Sequence, residues 1–570
     1  MKKCPQCSRE YDLSMSFCLD DGAELLYGPV QDSSTSDEPK TAILYETTQP
    51  NGASTRAQIH TTNTPIAGAD SDRSARSGSG TKLSIAVAAI LVVLGVGFFG
   101  YRYFSARVQI NSIAVMPFVN ESGNPDVEYL SDGMTETLIS SLSQLPNLNV
   151  QARSSVFRYK GKDTDAKAIG RELNVQAILN GRVVQHGDDL VLYLELVDAQ
   201  TGKQIWGDQY NRKQTDLVTL QSEIARDVSS KLKSKLSGAD AAKVEKNYTA
   251  NPEAYQLYLK GRFYWNKRTA ESLKQAVEFF NQAIEKDLNY ALAYSGLAES
   301  YVLFPNFSAA LPMDCMPKAK AAAVRAIEID DSLAEAHTAL AIYYSDFSWN
   351  QLSAEKEFRR AIELNPNYPN AHHQFAAECL VFVRRFDEAI AEGKRAEELD
   401  PISPMIGADL GRSFTFARRF DDAIAQFNRV IALDPNFYVS HYYLGITFHA
   451  KGLYADAIAE YRKAAALNDD PWVRSQLARS LARSGQRDEA LRLLGELQSE
   501  SAHRYVSNAS LALVYGALGD KDKAFALLEK EVAERTPRSM TLSVNPLWDD
   551  LRDDPRFVDL IRRIEASKMD

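Results

Sequence analysis

The sequence predicts a multidomain chain: a small metal-knuckle head, a single transmembrane helix, an α/β domain and an all-α solenoid of repeated helix pairs. Three observations carry this. An uncharged apolar run from Leu83 to Tyr101 divides the chain, short β-like runs mixed with helical spacing follow it, and one pattern then recurs through the carboxy-terminal half. At 570 residues the chain is too long for one ordinary core. Its 25% charged and 45% apolar residues are those of folded protein rather than of a disordered chain.

The head is residues 1–28. The stretch CPQCSREYDLSMSFCLDDG sets Cys4 and Cys7 in one knuckle and Cys18 in a second, with Asp21 where a fourth ligand belongs. Zinc accepts thiolate and carboxylate ligands alike. Apart from Tyr11 and Phe17 the segment has almost no apolar core. Its folding would need metal-binding energy, about 10–16 kcal/mol in zinc-finger peptides. A redox Cys-x-x-Cys would sit in a βαβ context, which is absent. The head resembles a short bacterial zinc ribbon, whose second turn reads Phe-Cys-Pro-x-Asp-Gly where this chain has FCLDDG; Ser8 replaces the usual glycine after the first knuckle. The predicted cofactor is structural zinc on Cys4, Cys7, Cys18 and Asp21. The other cysteines, Cys315 and Cys379, lie far apart in separate repeats, so no disulfide framework is expected.

Residues 29–80, rich in Ser, Thr, Gly, Pro and Asp, read as a disordered linker. Residues 81–103 read as the membrane helix, because the run from Leu83 to Tyr101 carries no charge and is long enough to span about 30 Å. Arg73, Arg76 and Lys82 precede it and Arg102 and Arg107 follow, a slight bias toward a cytoplasmic amino terminus. A thiolate site favours the same reducing side. The expected location is the cell inner membrane, single-pass, with the body exported.

Residues 108–237 read as an α/β domain. NSIAVMPFV and LNVQAR predict strands, VEYLSDGMTETLISSLSQL and DAKAIGREL predict helices, and turns at His186-Gly187-Asp188 and Gln200-Thr201-Gly202 join further strands. Leu217, Leu220, Ile224, Val228, Leu232 and Leu236 mark a closing amphipathic helix. SIAVMPFVNESGNPDVEYLSDGMTETLISSLSQLPNLNV, RYKGKDTDAKAIGRELNVQAILNGRV and LVDAQTGKQIWGDQYNR resemble the TolB amino-terminal-like (FlgO-like) domain of bacteria. That resemblance implies a sensor-type architecture shared with some kinases, adenylate cyclases and transcription regulators, and no catalysis by the domain itself. Asp132, Glu136 and Asp198 read as helix-surface and turn residues.

Residues 250–537 resemble about eight tetratricopeptide repeats. FRRAIELNPNY, GKRAEELDPIS, FNRVIALDPNF and YRKAAALNDDP each follow an alanine (Ala354, Ala389, Ala423, Ala457) close to the repeat's ~34-residue spacing. Leu340-Ala341, Leu410-Gly411 and Leu444-Gly445 precede them, and Pro366, Pro401 and Pro435 end the second helices. Small residues let the helices of a unit approach, and stacked units leave a concave groove. FPNFSAALPMDCMPK is expected to project as a loop, and residues 538–570 to cap the last unit. Repeat phase puts Tyr255, Tyr258, Arg262, Trp265, Phe382, Arg412, Phe416, Tyr442 and Tyr443 toward the concave side as a peptide-binding groove.

The predicted function is that of a non-catalytic, membrane-anchored scaffold or sensory protein binding partners through this groove. The alternative is a component of a signalling or transcription-regulating system derived from kinase- or cyclase-type repeat proteins. Kinase signatures are absent from the sequence, and the short head has no room for a helix-turn-helix. The expected partners are proteins or peptides, and the membrane through one helix. Nucleic acid is not expected, because the net charge is −10 and the head's Lys2, Lys3 and Arg9 are outnumbered by acids. No small-molecule substrate is identified.

Overall fold

The computed structural model describes residues 2–3, 10–11, 110–124, 127–145, 147–162, 164–232, 246–307, 309–534 and 536–566. The predicted zinc ligands Cys4, Cys7, Cys18 and Asp21, the linker and the membrane segment lie outside them. Among the described residues, no helix is long and apolar enough to cross a membrane. In the head, β1 (Lys2–Lys3) and β2 (Glu10–Tyr11) pair antiparallel, Lys2 opposite Tyr11, and bracket the first cysteine pair in sequence.

The α/β domain runs β3 (Ser112–Val115), β4 (Val119–Asn120), α1 (Glu128–Ser143), β5 (Asn149–Val150), α2 (Arg153–Phe157), α3 (Ala166–Glu172), β6 (Ala177–His186), β7 (Asp189–Asp198), β8 (Gln204–Lys213) and α4 (Leu217–Lys231). Strands β5, β3 and β6 are parallel neighbours, β4 also pairs β6, and β6, β7 and β8 form an antiparallel meander. The parallel strands are joined through helices, as a crossover requires, and the meander by tight turns at Gly187 (φ 61°) and Gly202 (φ 71°). Leu190, Leu192, Leu194 and Leu196 alternate along β7 and are buried, a period of two that sets one face inward. The sequence reading missed α2, a single turn too short to show a period. Asp198 accepts from the backbone N–H of Gln200 and Thr201, the turn role expected of it.

The all-α array has first helices beginning at Pro252, Ala291, Ala334, Pro369, Pro404, Tyr438, Pro471 and Asn508, each followed by a second helix. Aromatic wedges against glycine hold the pairs. A Cβ on Gly411 would stand 2.4 Å from the Phe427 ring, and one on Gly445 would stand 2.7 Å from the Tyr461 ring. Phe280 fills the space over Gly261 and also Gly296 of the next unit. These rings follow the alanines of the repeat pattern by four positions, the helical spacing that puts both on one face.

A second device recurs that the sequence reading did not isolate. His337, His372 and His441 each set Nδ1 2.5–2.6 Å from a carboxylate of the second helix (Glu357, Glu392, Glu460). Each sets Nε2 3.0–3.1 Å from a carbonyl of the preceding turn (Asp331, Pro366, Pro435). The three rings thus tie turn, first helix and second helix together.

Two expectations are corrected. The stretch from Phe304 to Lys318 is not a projecting loop: Phe304–Phe307 is a 3-10 turn and Pro312–Ile329 is a helix that buries Cys315 and Met316. Phe304, Cys315 and Met316 of this stretch are buried, while Leu311 and Met313 face outward. The carboxy-terminal segment does more than cap. Trp548, Phe557, Leu560 and Ile564 cover the last units, but Met540 and Val544 reach back to pack with Phe382 and Phe416.

Candidate functional site

All nine residues predicted for the groove line one cavity of about 1260 Å³ between the α/β domain and the repeats. They do not form an open trough. Tyr255, Tyr258, Trp265, Phe382, Phe416 and Tyr442 are each 8% exposed or less, because the chain covers its own concave face from two sides.

The first cover is α1. Gly133 lets α1 approach the first repeat so closely that a Cβ there would stand 2.9 Å from Leu259. One turn on, Glu136 enters the groove. Arg262 donates to it through Nε at 2.7 Å and also holds Glu299 at 2.7 Å, while Asn266 donates to Glu136 at 2.6 Å and Arg153 lies 3.2 Å away. Arg262 and Glu136 side chains are both 12% exposed. Burial lowers the Arg262 pKa, but the two carboxylates outweigh it and hold the guanidinium charged, well above its ordinary range. Glu136 is therefore an interdomain residue and not the helix-surface residue the sequence reading made it. Its neighbour Asp132 pairs with Lys160 within its own domain.

The end of α1 is capped by the repeats. Asn367 Nδ2 lies 3.1–3.2 Å from the carbonyls of Ser143, at the helix end, and of Leu145 and Leu148 in the loop that follows. Ser155 donates to Asp400 at 2.6 Å, and Ser154 bonds the same carboxylate. One apolar cluster runs from Ile113 of the sheet to Leu340 of the third repeat, so the two parts share a core. Asn367→Ala is expected to cost about 1–3 kcal/mol by removing the donor that the Ser143 and Leu148 carbonyls share. Faster amide exchange at the end of α1, with the distant last repeats unchanged, is the check.

The second cover is the segment carrying Met540 and Val544, tied down where Arg384 donates to the Ser543 carbonyl at 3.4 Å and Arg418 pairs with Asp549. Between the two covers, the first helices of the third and fourth repeats end in π turns, Tyr343–Phe347 and Phe375–Leu380. These turns carry Asp346 and Glu378 to the cavity wall. Arg412 donates to Glu378 at 2.9 Å and lies 3.2 Å from Asp409, whose other oxygen meets His373 at 2.7 Å. Asp346 accepts from Ser345 at 2.9 Å. Burial, then repulsion from Glu378, pushes its carboxyl up to about 8.

An unfolded aspartate titrates near 3.9, so between that value and about 8 the folded chain holds the extra proton and stability falls as pH rises. The wild type is expected to lose more thermal midpoint between about pH 5 and pH 9 than Asp346→Asn does. Calorimetry at both pH values checks this.

Cys315 and Cys379 are buried free thiols whose pKa values burial raises to about 11 and about 12, consistent with a packing role.

Residues 109–237 match the second domain of HilA/YgeH-like transcriptional regulators, and residues 408–471 match a tetratricopeptide repeat model. The chain therefore carries a tetratricopeptide repeat region and, in front of it, an α/β domain that matches this regulator domain. Among curated proteins it is similar to a putative adenylate cyclase 3 of Rhizobium meliloti (strain 1021), 33% identical over 238 residues, which is 41% of this chain. The match spans 40% of that relative's length. Among solved structures it is similar to pilF of Pseudomonas aeruginosa (20% identity, 38% of this chain and 93% of that chain, TM-score 0.31). It is also similar to YrrB, described as a TPR protein with an unusual peptide-binding site (22% identity, 34% and 94%, TM-score 0.26).

Proposed function

We propose that the chain is a non-catalytic component of a signalling or transcription-regulating system that binds a protein partner in the cavity of its repeat array. The observation that carries this is a regulator-type α/β domain locked into the repeat groove, with an aromatic-lined cavity left beside the lock. The transcription-regulator domain and the cyclase relative support this reading over an anchored scaffold with no regulatory output. Both protein types are among those that the TolB-type resemblance implies.

The test is a strain carrying Tyr443→Ala, a half-buried cavity residue, beside a full deletion. The expected result is a transcript profile that follows the deletion at wild-type protein level. A deletion that changes no transcripts overturns the regulatory reading, and a Tyr443→Ala profile identical to wild type overturns the role of the cavity.

The same proposal keeps residues 81–103 as an inner-membrane anchor with the head in the cytoplasm and the body exported, and zinc on Cys4, Cys7, Cys18 and Asp21. Metal analysis of the purified full chain is expected to find one equivalent of zinc, lost in Cys4→Ser. A metal-free wild-type chain would remove the cofactor.

A further inference from the structure

We propose that the cavity between the two π turns receives a cationic side chain, a lysine or arginine presented by a partner protein's segment whose apolar neighbours rest on the surrounding rings. This names the partner's chemistry and rests on the reading that the cavity binds protein.

Three observations meet at this place. The first is charge. Asp346, Glu378 and Asp409 line this part of the cavity and share one guanidinium, Arg412, with His373 on Asp409. Arg412 makes its ion pairs with Glu378 and Asp409, while Asp346 is bonded to Ser345, so a cation entering here would meet a carboxyl group that it could hold ionised beside Glu378. The basic groups elsewhere on the wall are engaged: Arg262 with Glu136 and Glu299, Arg153 with Glu136, Lys246 with Asp330, Arg268 over the Trp265 ring and Arg538 over the Trp472 ring.

The second is backbone. π turns are rare and cluster at functional sites. Here two occur in successive repeats at the same end of the first helix, and each carries one of the two acids. Ser345 Oγ, from the first turn, lies 2.5 Å from the Glu378 carbonyl of the second, fixing one against the other.

The third is the apolar surround. Phe347, Phe382, Phe416 and Tyr443 line the same cavity, and Met405 at its edge is 44% exposed. A long basic side chain can bury its methylene stem against such rings while its head meets the carboxylates. Because α1 and the carboxy-terminal segment already cover the rest of the concave face, the partner's inserted segment must be short.

The experiment is selection of short random peptides on the full chain by display, then fluorescence anisotropy on the selected peptides. The expected result is that peptides needing Tyr443 carry a Lys or Arg, that replacing it with Gln or norleucine weakens binding at least about tenfold, and that Asp346→Asn or Glu378→Gln does the same. The peptide substitution leaves the protein untouched, and far-UV circular dichroism controls the protein variants. Peptides that lose binding in Tyr443→Ala but ignore Asp346→Asn, Glu378→Gln and their own cation overturn the cationic site and leave the cavity reading standing. A selection yielding nothing sensitive to Tyr443→Ala overturns both.

Discussion

Arg262→Ala is expected to destabilise the junction between the α/β domain and the first repeats by about 3–5 kcal/mol, because removing one member of a buried ionic cluster strands its partners. Glu136 and Glu299, 12% and 8% exposed, would then lose the cation they share, leaving Arg153 and Asn266 on Glu136 and the Tyr368 hydroxyl on Glu299. The loss should be local, since each repeat chiefly contacts its neighbours. Hydrogen exchange is therefore the suitable readout. Protection across residues 128–143 and 252–265 should fall by two to three powers of ten, about 1.4 kcal/mol for each power, while residues 508–533 keep theirs. The triple variant Arg262→Met, Glu136→Gln, Glu299→Gln removes the Arg262 cluster's three charges together and, with Arg153 left without Glu136's charge, should regain part of the loss. Unchanged protection in Arg262→Ala would mean that the apolar core alone holds the junction.

Phe280→Ala is the other large effect, at about 3–5 kcal/mol. The ring is wholly buried and closes over the bare backbones of Gly261 and Gly296, which have no side chains to collapse into the space. Both the first repeat and its contact with the second would loosen. Because Tyr258 stacks near the same ring, at 5.8 Å between centroids, the cavity wall should loosen as well. The urea midpoint of the full chain reports the loss. Phe280→Leu, which fills most of the volume, is expected to fall by clearly less, and equal losses for both would argue against a cavity term.

The repeat array was legible because its pattern is local. Ala423 and Phe427 stand four apart on one helix, Gly411 on the helix before it, and that spacing alone states which faces meet. The sheet was legible for the same reason: β7 alternates, and its turns carry glycine where a positive φ is needed. The cysteine pattern of the head and the uncharged run from Leu83 to Tyr101 are sequence features of the same local kind, and both lie outside the described residues.

What the sequence did not disclose are contacts between residues far apart in the chain. Glu136 reads as one more acid on an amphipathic helix until Arg262 is placed beside it, and the same holds for Asn367 under the end of α1. Met540 and Val544 read as part of a capping segment until they are found against Phe382 and Phe416. The π turns left no signal either, since one extra residue in a helix is set by how two neighbouring helices pack. The sequence by itself determined the α/β domain, the repeat array behind it and nine of the residues that line the cavity. Only the tertiary structure decided that the chain covers most of that face itself, because charge pairing and cap closure depend on distance in space and not on spacing along the chain.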